Sequence, residues 1–278
     1  MESRILSGHD IEFLLYEWLD VEALTQRPFF ADHNRETFDA VLSVCERVAT
    51  QKFANHNRKG DQQEAHLEGQ TVETIPEIAE AMTAFAQAGL MAAGQSHELG
   101  GLQLPMVVEK AGFAWFLDAN MATSAIPFLT IGNANLLTAY GTESMIDNYV
   151  RPMLQGRFFG TMCLSEPHAG SSLAEIRTRA VAQPDGSYRL FGSKMWISAG
   201  DHEIGENVIH LVLARIPDAP PRGEGYFTLP GTAQATRRER VAWRAQRCCG
   251  RRCQPQNGYA RCSQLFVELW RGGLQARR

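Results

Sequence analysis

The periodicity of apolar residues changes near Gly156, and this change limits the chain to a helical part followed by a β-rich part. Before Gly156, apolar side chains return every three or four residues, as in residues 36–55 and 123–139, which is the spacing of amphipathic helices. After Gly156, short runs such as 158–165 and 208–215 are separated by Gly, Pro and Asp, which is typical of strands. The sequence therefore predicts an α+β fold in which a helical bundle precedes a small β-domain.

Individual elements are predicted from the same pattern and from the residues at their ends. A helix at 11–19 follows Asp10, a residue type that favours helix N-termini. A helix at 75–88 has Pro76 in its first turn and Gly89 just after its end. The predicted set comprises helices at 11–19, 36–55, 75–88, 106–116, 123–139 and 143–154, strands at 158–165, 178–183, 188–192, 194–198 and 208–215, and a hairpin turn at 184–186.

Composition is ordinary for a globular protein in the first 221 residues and unusual after them. The 278 residues carry a formal net charge of −4 and are 44% hydrophobic, which is compatible with one large or two ordinary domains. Residues 1–221 hold 15 Lys and Arg against 28 Asp and Glu, whereas residues 222–278 hold 12 Arg, no Lys and 3 Glu. Because the chain has neither a run of about 18 apolar residues nor a basic N-terminal leader, a cytoplasmic protein without a membrane span is expected.

The stretch of residues 160–200 carries the clearest chemical pattern. Two short apolar segments, 162–164 and 195–197, are followed by a hydroxyl group, at Ser165 and Ser198 respectively. A Gly-rich turn lies between the two segments. A flat ligand with polar edges needs an apolar wall for its face, and hydroxyl and backbone N–H groups for its heteroatoms. From spacing alone, an ordinary pair of strands with a turn is an equally good interpretation.

The order of residues in two motifs is more specific than their spacing. MCLSEPHAGSS, which begins at Met162, and GSKMWISAG, which begins at Gly192, resemble sequences on the strands of the middle β-domain of acyl-CoA dehydrogenases. The resemblance covers about residues 30–221, and the family has a further, C-terminal helical domain for which this chain has no room. The implied organisation is an N-terminal extension (1–30), a helical N-terminal domain (31–156), an incomplete middle β-domain (157–221) and an irregular tail (222–278).

The resemblance also implies a flavoenzyme. Acyl-CoA dehydrogenases oxidise an acyl-CoA thioester between its α and β carbons: a carboxylate takes the α proton, and the β hydrogen leaves as hydride to FAD. Gly170 and Ser171 match positions near the flavin pyrophosphate or the acyl-CoA, and are expected to bind substrate. The positions that match the family's cofactor-binding residues are Met162, Leu164 and Ser165 in the first motif, and Trp196 and Ser198 in the second.

Three positions depart from the family pattern, and no catalytic residue is expected in this chain. Met162 stands where an aromatic residue is common, Ser172 replaces a frequent Asp, and His168 replaces a frequent small residue, which bears on substrate choice more than on flavin binding. The resemblance implies a structural role for Glu166 and a catalytic carboxylate in the C-terminal helical domain. The chain is therefore expected to be inactive, and its full-length parent to be an oligomer that passes electrons to a separate acceptor.

Three hypotheses address residues 222–278, which are rich in Arg and Cys and lack a helical or strand period. Clustered Arg suits phosphate contacts, so the alternative function is a non-catalytic relative with a nucleic-acid-binding tail. A zinc site is disfavoured because the cysteines form no C-x2-C pair, and no metal site is predicted elsewhere. The preferred hypothesis is a frameshift: codons chosen for residues 222–247 and read one nucleotide later can spell GVKGISLFLVP and GERND, which resemble the continuation of the family's β-domain.

Overall fold

A computed structural model of the chain describes residues 5–68, 71–184, 188–216 and 226–232. These residues form two compact units. The first contains the described residues of 5–63, 75–124 and 154–156, and the second contains those of 64–74, 125–153 and 157 onward. Because each unit is discontinuous in sequence, the domain boundaries given above, which divide the chain at residue 156, stay a prediction.

Helices occupy most of the chain before residue 156, as the sequence predicts. The α-helices are α1 (Gly8–Glu12), α2 (Arg35–Val48), α3 (Asn57–Gln62), α4 (Pro76–Gln87), α5 (Met106–Ala119), α6 (Met121–Tyr140), α7 (Glu143–Met145) and α8 (Arg151–Leu154). Wider π-helical turns lie at Phe13–Trp18, Ala49–Phe53 and Ile146–Val150, and 3₁₀ turns at Val21–Gln26, Pro28–Phe30, Ala54–His56, Leu90–Ala92 and His97–Leu99. Within the described ranges, no helix combines the length and apolar character needed to cross a bilayer.

Local signals begin and end the helices of the first unit. Asn34 and Thr37 form a capping box at the start of α2, in which Thr37 N donates to Asn34 Oδ1 at 2.9 Å. Pro76 occupies the first turn of α4, and Gly89, with a φ of 74°, follows the end of that helix as predicted. These caps satisfy backbone groups that a helix leaves without an internal partner.

Aromatic side chains form the centre of the first unit's core. Phe116 packs edge-on against Phe53 and Phe85, with ring centroids 4.8 and 4.9 Å apart. A second cluster joins the N-terminal segment to α2 and α5 and consists of Leu15, Val21, Phe38, Leu42, Ala93, Leu104 and Val108. The N-terminal segment is therefore part of the packed core of this unit.

The second unit is built on a mixed five-stranded sheet. A separate two-stranded antiparallel sheet precedes it, formed by β1 (His66–Glu68) and β2 (Thr71–Glu73). The strands of the larger sheet are β3 (Phe158–Cys163), β4 (Arg179–Ala182), β5 (Tyr188–Phe191), β6 (Asn207–Arg215) and β7 (Tyr226–Thr232). Their order is β3-β6-β4-β5, with β7 also paired to β6. β3 and β6 are parallel, whereas β4–β5 and β6–β7 are antiparallel. The predicted α+β class is thereby confirmed.

Helix α6 covers one edge of β3 through polar side chains. Asn133 Nδ2 donates to Thr161 O at 3.0 Å, and Gly160 N donates to Thr130 Oγ1 at 3.0 Å. A Cβ atom at Gly160 would collide with the Asn133 side chain, so glycine permits this close approach. Both backbone groups are thus satisfied on an edge strand, where they would otherwise lack a ladder partner.

The structure corrects the prediction of a strand at 194–198. These residues have no regular secondary structure. Lys194 Nζ donates to Leu164 O, and Met195 N donates to Ser165 O, so this segment is bonded to the loop that follows β3 and does not enter the ladder of the sheet.

Other differences concern the ends of the chain. Ser7, not Asp10, is the N-cap of α1, since the Ser7 hydroxyl accepts from Asp10 N at 3.3 Å. Residues 226–232, predicted to be irregular, form β7, which begins with the strand-favouring sequence Tyr-Phe-Thr.

The turn residues 185–187 and the rest of 217–278 lie outside the described residues, as do all the tail cysteines.

Candidate functional site

A buried ion pair joins the two sequence motifs. Lys194 Nζ lies 2.9 Å from Glu166 Oε1, and the two side chains are 1% and 2% exposed. Lys194 Nζ also donates to Leu164 O at 3.0 Å, and Met195 N donates to Ser165 O at 2.9 Å. The second motif is therefore held against the residues that follow β3 by two side-chain bonds and one backbone bond.

Glu166 also binds the segment that leads into β4. Arg177 N donates to Glu166 Oε2 at 2.7 Å, and Thr178 N donates to Glu166 Oε1 at 3.0 Å. Burial alone would raise the pKa of this carboxyl group, but the hydrogen bonds from Lys194 and from these two N–H groups outweigh burial and lower the pKa of Glu166 from 4.5 to about 2. Glu166 is therefore ionised at neutral pH and ties three segments together.

β3 and the residues after it carry the first predicted set of site residues. Thr161 and Cys163 are buried, whereas Met162 and Leu164 are half-buried, which is the alternation expected along a strand. Ser165 follows and is also half-buried. This arrangement leaves apolar side chains and one hydroxyl-bearing residue partly accessible at the end of β3.

Trp196 combines an exposed side chain with a left-handed backbone conformation. Its φ is 62°, and the residue is 38% exposed, while Ile197 beside it is 1% exposed. A non-glycine residue in this conformation is strained by about 1–2 kcal/mol. Ser198 is half-buried, and Ala199 also has a positive φ, of 51°. The surrounding bonds therefore hold this segment in a shape that its own backbone does not favour.

The turn between the motifs is exposed and sterically open. Gly170 and Ser171 are both exposed, and a Cβ atom added at Gly170 would meet no atom within 4 Å. His168 Nε2 lies 3.2 Å from Glu175 O and 3.6 Å from Glu166 Oε2. The fold itself does not require glycine at position 170, so space remains beside this turn.

Sequence reasoning missed Lys194 as a member of the site. A lysine directly before the apolar run Met195–Ile197 is an unusual charge, and Glu166 in the other motif has the opposite charge. Those two observations were the available signal. In the described ranges, no group of three or more His, Cys, Asp and Glu side chains is arranged to hold a metal ion.

Comparison with known proteins gives a consistent result. No family model matches the chain. The chain is 36% identical over 219 residues to 3-methylmercaptopropionyl-CoA dehydrogenase of Ruegeria pomeroyi, an alignment that covers 78% of this chain and 37% of that protein. The structure of butyryl-CoA dehydrogenase from Megasphaera elsdenii superposes with a TM-score of 0.65 at 17% identity and covers 86% of this chain and 56% of that one. An acyl-CoA dehydrogenase complexed with FAD from Bacillus anthracis gives a TM-score of 0.63 at 17% identity, over 86% of this chain and 37% of that one.

A helical part followed by a mixed sheet is thus the fold that the described residues share with acyl-CoA dehydrogenases. The sequence match agrees with the fold, and the chain belongs to the acyl-CoA dehydrogenase family. It spans little more than a third of the length of the curated relative, since the alignment covers 37% of that protein.

Proposed function

We propose that the second unit binds FAD, with the flavin ring against Met162, Leu164 and Trp196 and its polar edge at Ser165 and Ser198. The observation that carries this proposal is the exposed Trp196 indole, which lies in a segment bonded to Ser165 through Met195 N. An aromatic side chain beside two hydroxyl-bearing residues suits a flat ligand with polar edges. Family membership and the solved relative complexed with FAD support the same cofactor.

Gly170 and Ser171 are proposed to lie beside phosphate groups of FAD or of acyl-CoA. Backbone N–H groups in a turn bind anions, and the open space at Gly170 allows a ligand to approach the backbone. Met162, Ser172 and His168, where the motif departs from the family pattern, lie in the same stretch and are proposed to influence which acyl group is accepted.

The proposed reaction of the whole protein is α,β-oxidation of an acyl-CoA thioester. Bound FAD supplies the hydride acceptor for this oxidation. In this chain, Trp196 would exclude water from one face of the ring, and Ser165 and Ser198 would orient its edge. An acyl-CoA substrate, a separate electron acceptor, oligomer formation by the full-length protein and a cytoplasmic location belong to the same proposal.

Glu166 is not proposed as the catalytic base. A carboxylate with a pKa of about 2 is a weak base at neutral pH, and both of its oxygens accept hydrogen bonds from the protein. Its role is to join segments, in agreement with the structural role that the resemblance implies. Because the resemblance implies a catalytic carboxylate in the C-terminal helical domain, and Glu166 is not a substitute for it, we propose that the 278-residue chain binds flavin without oxidising acyl-CoA.

Titration of the purified chain with FAD tests this proposal. Saturable quenching of flavin fluorescence is expected, together with the loss of most of this affinity in Trp196→Ala. No dye-coupled oxidation of acyl-CoA is expected above the rate of free flavin. Absence of saturable binding at FAD concentrations that fill a flavin-binding relative would refute the cofactor proposal, and turnover would refute the proposal of inactivity. The nucleic-acid alternative depends on residues 222–278, of which only 226–232 are described.

A further inference from the structure

We propose that Glu166 and Lys194 are a positioning pair for the flavin: without touching the ring, they fix residues 194–198 so that Trp196 and Ser198 face it. This inference rests on the proposed FAD site and adds two residues to it that act through their neighbours.

Lys194 is fixed to the loop that follows β3. Lys194 Nζ bonds both Glu166 Oε1 and Leu164 O, at 2.9 and 3.0 Å, so the lysine is held at two points of the loop that follows β3. Trp196 is two residues further along the chain, which places its Cα within about 7 Å of the Lys194 Cα. Fixing Lys194 therefore restricts where the Trp196 backbone, and hence its indole, can lie.

Stability alone poorly explains the buried pair of Glu166 and Lys194. Burying two charges carries a large desolvation penalty, and a packed apolar pair of similar size is often as stable or more stable. An apolar side chain at position 194 could not, however, bond Leu164 O, so one of the bonds that hold the segment in which Trp196 has a φ of 62° would be lost. What the ion pair adds is one particular loop conformation.

The same unit contains a matched control pair. Arg157 and Glu206 form a two-point ion pair, with Nε–Oε1 and Nη2–Oε2 distances of 2.8 and 2.7 Å. Their side chains are 51% and 56% exposed. Their distances are as short as those of the buried pair, but exposure makes such a pair contribute little. Neutralising it tests the effect of removing an ion pair from the sheet without altering residues 194–198.

The experiment compares Lys194→Met, Glu166→Gln, the double variant and the control double variant Arg157→Met/Glu206→Gln. Each purified full chain is measured for its melting temperature without flavin, for its FAD dissociation constant, and for the visible circular dichroism of bound FAD. Each single variant at the buried pair is expected to melt lower, because one charge remains buried without its partner. The double variant is expected to recover most of the lost melting temperature, because neither charge remains.

If the pair positions the ring, the double variant must bind flavin poorly even though its stability has recovered. The double variant is therefore expected to bind FAD at least about ten-fold more weakly than wild type, equivalent to about 1.4 kcal/mol, with an altered visible dichroism band. The control double variant is expected to stay within about two-fold of wild type.

Three results separate the possible failures. A double variant with recovered melting temperature and wild-type FAD affinity and dichroism would overturn the inference and leave the FAD site standing. Absence of FAD binding by wild type would overturn the proposed function, and the inference with it. If the double variant does not recover its melting temperature, its affinity for ADP is measured below that temperature. A variant that keeps its affinity for ADP but loses its affinity for FAD supports positioning of the ring. Any other pattern contradicts it.

Discussion

Replacing Trp196 by Gly and by Ala separates the backbone conformation at this position from its side chain. Both substitutions remove the indole, so both lose the same ring contacts. They differ because glycine adopts a φ of 62° without a steric penalty, whereas the Cβ of alanine does not fit that region well. In an extended strand, as the sequence predicts for residues 194–198, the order of stability would be the reverse.

The size of the difference follows from two opposing effects. A left-handed conformation costs a residue with a Cβ atom about 1–2 kcal/mol. Glycine loses more backbone entropy on folding, which costs about 0.5–1 kcal/mol relative to alanine. The difference between these two effects is about 0–1.5 kcal/mol, so the glycine variant is expected to be more stable by about 0.7 kcal/mol, or about 2–3 °C in melting temperature for a chain of this size.

Thermal unfolding of the two variants without flavin measures this difference, and its sign is the result that matters. A melting temperature of Trp196→Ala above that of Trp196→Gly would place residue 196 in an extended conformation and refute the reasoning. FAD titration of the same samples checks the side chain. Both variants are expected to bind FAD several-fold more weakly than wild type, since an aromatic contact is worth about 1 kcal/mol beyond its burial.

The remaining predictions concern two glycines and one carboxylate. Gly170→Ala is expected to leave the melting temperature unchanged, because the added Cβ atom meets no other atom within 4 Å. The same variant is expected to bind FAD or a CoA thioester more weakly in a titration. Unchanged affinity for both ligands would remove Gly170 from the site. Gly205→Ala is expected to destabilise the chain by about 1–3 kcal/mol in urea unfolding, since its Cβ would lie 2.7 Å from Arg157 O and 2.6 Å from the Phe159 ring. The lowered pKa of Glu166 stabilises the fold above pH 4.5, and this contribution, about 3 kcal/mol, is lost as the pH falls towards about 2. The stability advantage of wild type over Glu166→Gln should therefore shrink across that pH range, and an advantage that does not change with pH would contradict the lowered pKa.

Local sequence signals were sufficient for most helices and for four strands of the larger sheet. Pro76 and Gly89 bound α4 because proline fits a first turn and glycine takes the positive φ that follows a helix. The change of apolar period near residue 156 separates helices from strands, because each backbone geometry has its own spacing between residues that share a face. The order of residues in the two motifs then predicted the family.

Features that depend on distant partners were not predictable in this way. Residues 194–198 have the composition of a strand, but the bonds from Lys194 to Leu164 and Glu166 hold them outside the sheet. The charge directly before the apolar run Met195–Ile197 is a local signal, but it does not identify the partner of Lys194, because Glu166 lies in the other motif. The parallel pairing of β3 with β6 likewise depends on residues far apart in sequence.

That parallel pairing also affects the order in which the chain can fold during synthesis. Thr161 on β3 is paired with His210 on β6, 49 residues later in the sequence. At about 5–20 residues per second, a ribosome needs roughly 2–10 s to make the missing strand. Until then β3, whose sequence is FFGTMC, lacks β6, its partner among the described strands, and can pair with other nascent chains. Helix α6 is made before β3. Its Thr130 and Asn133 side chains can bond Gly160 N and Thr161 O during that interval. These bonds make one edge of β3 less available for aggregation.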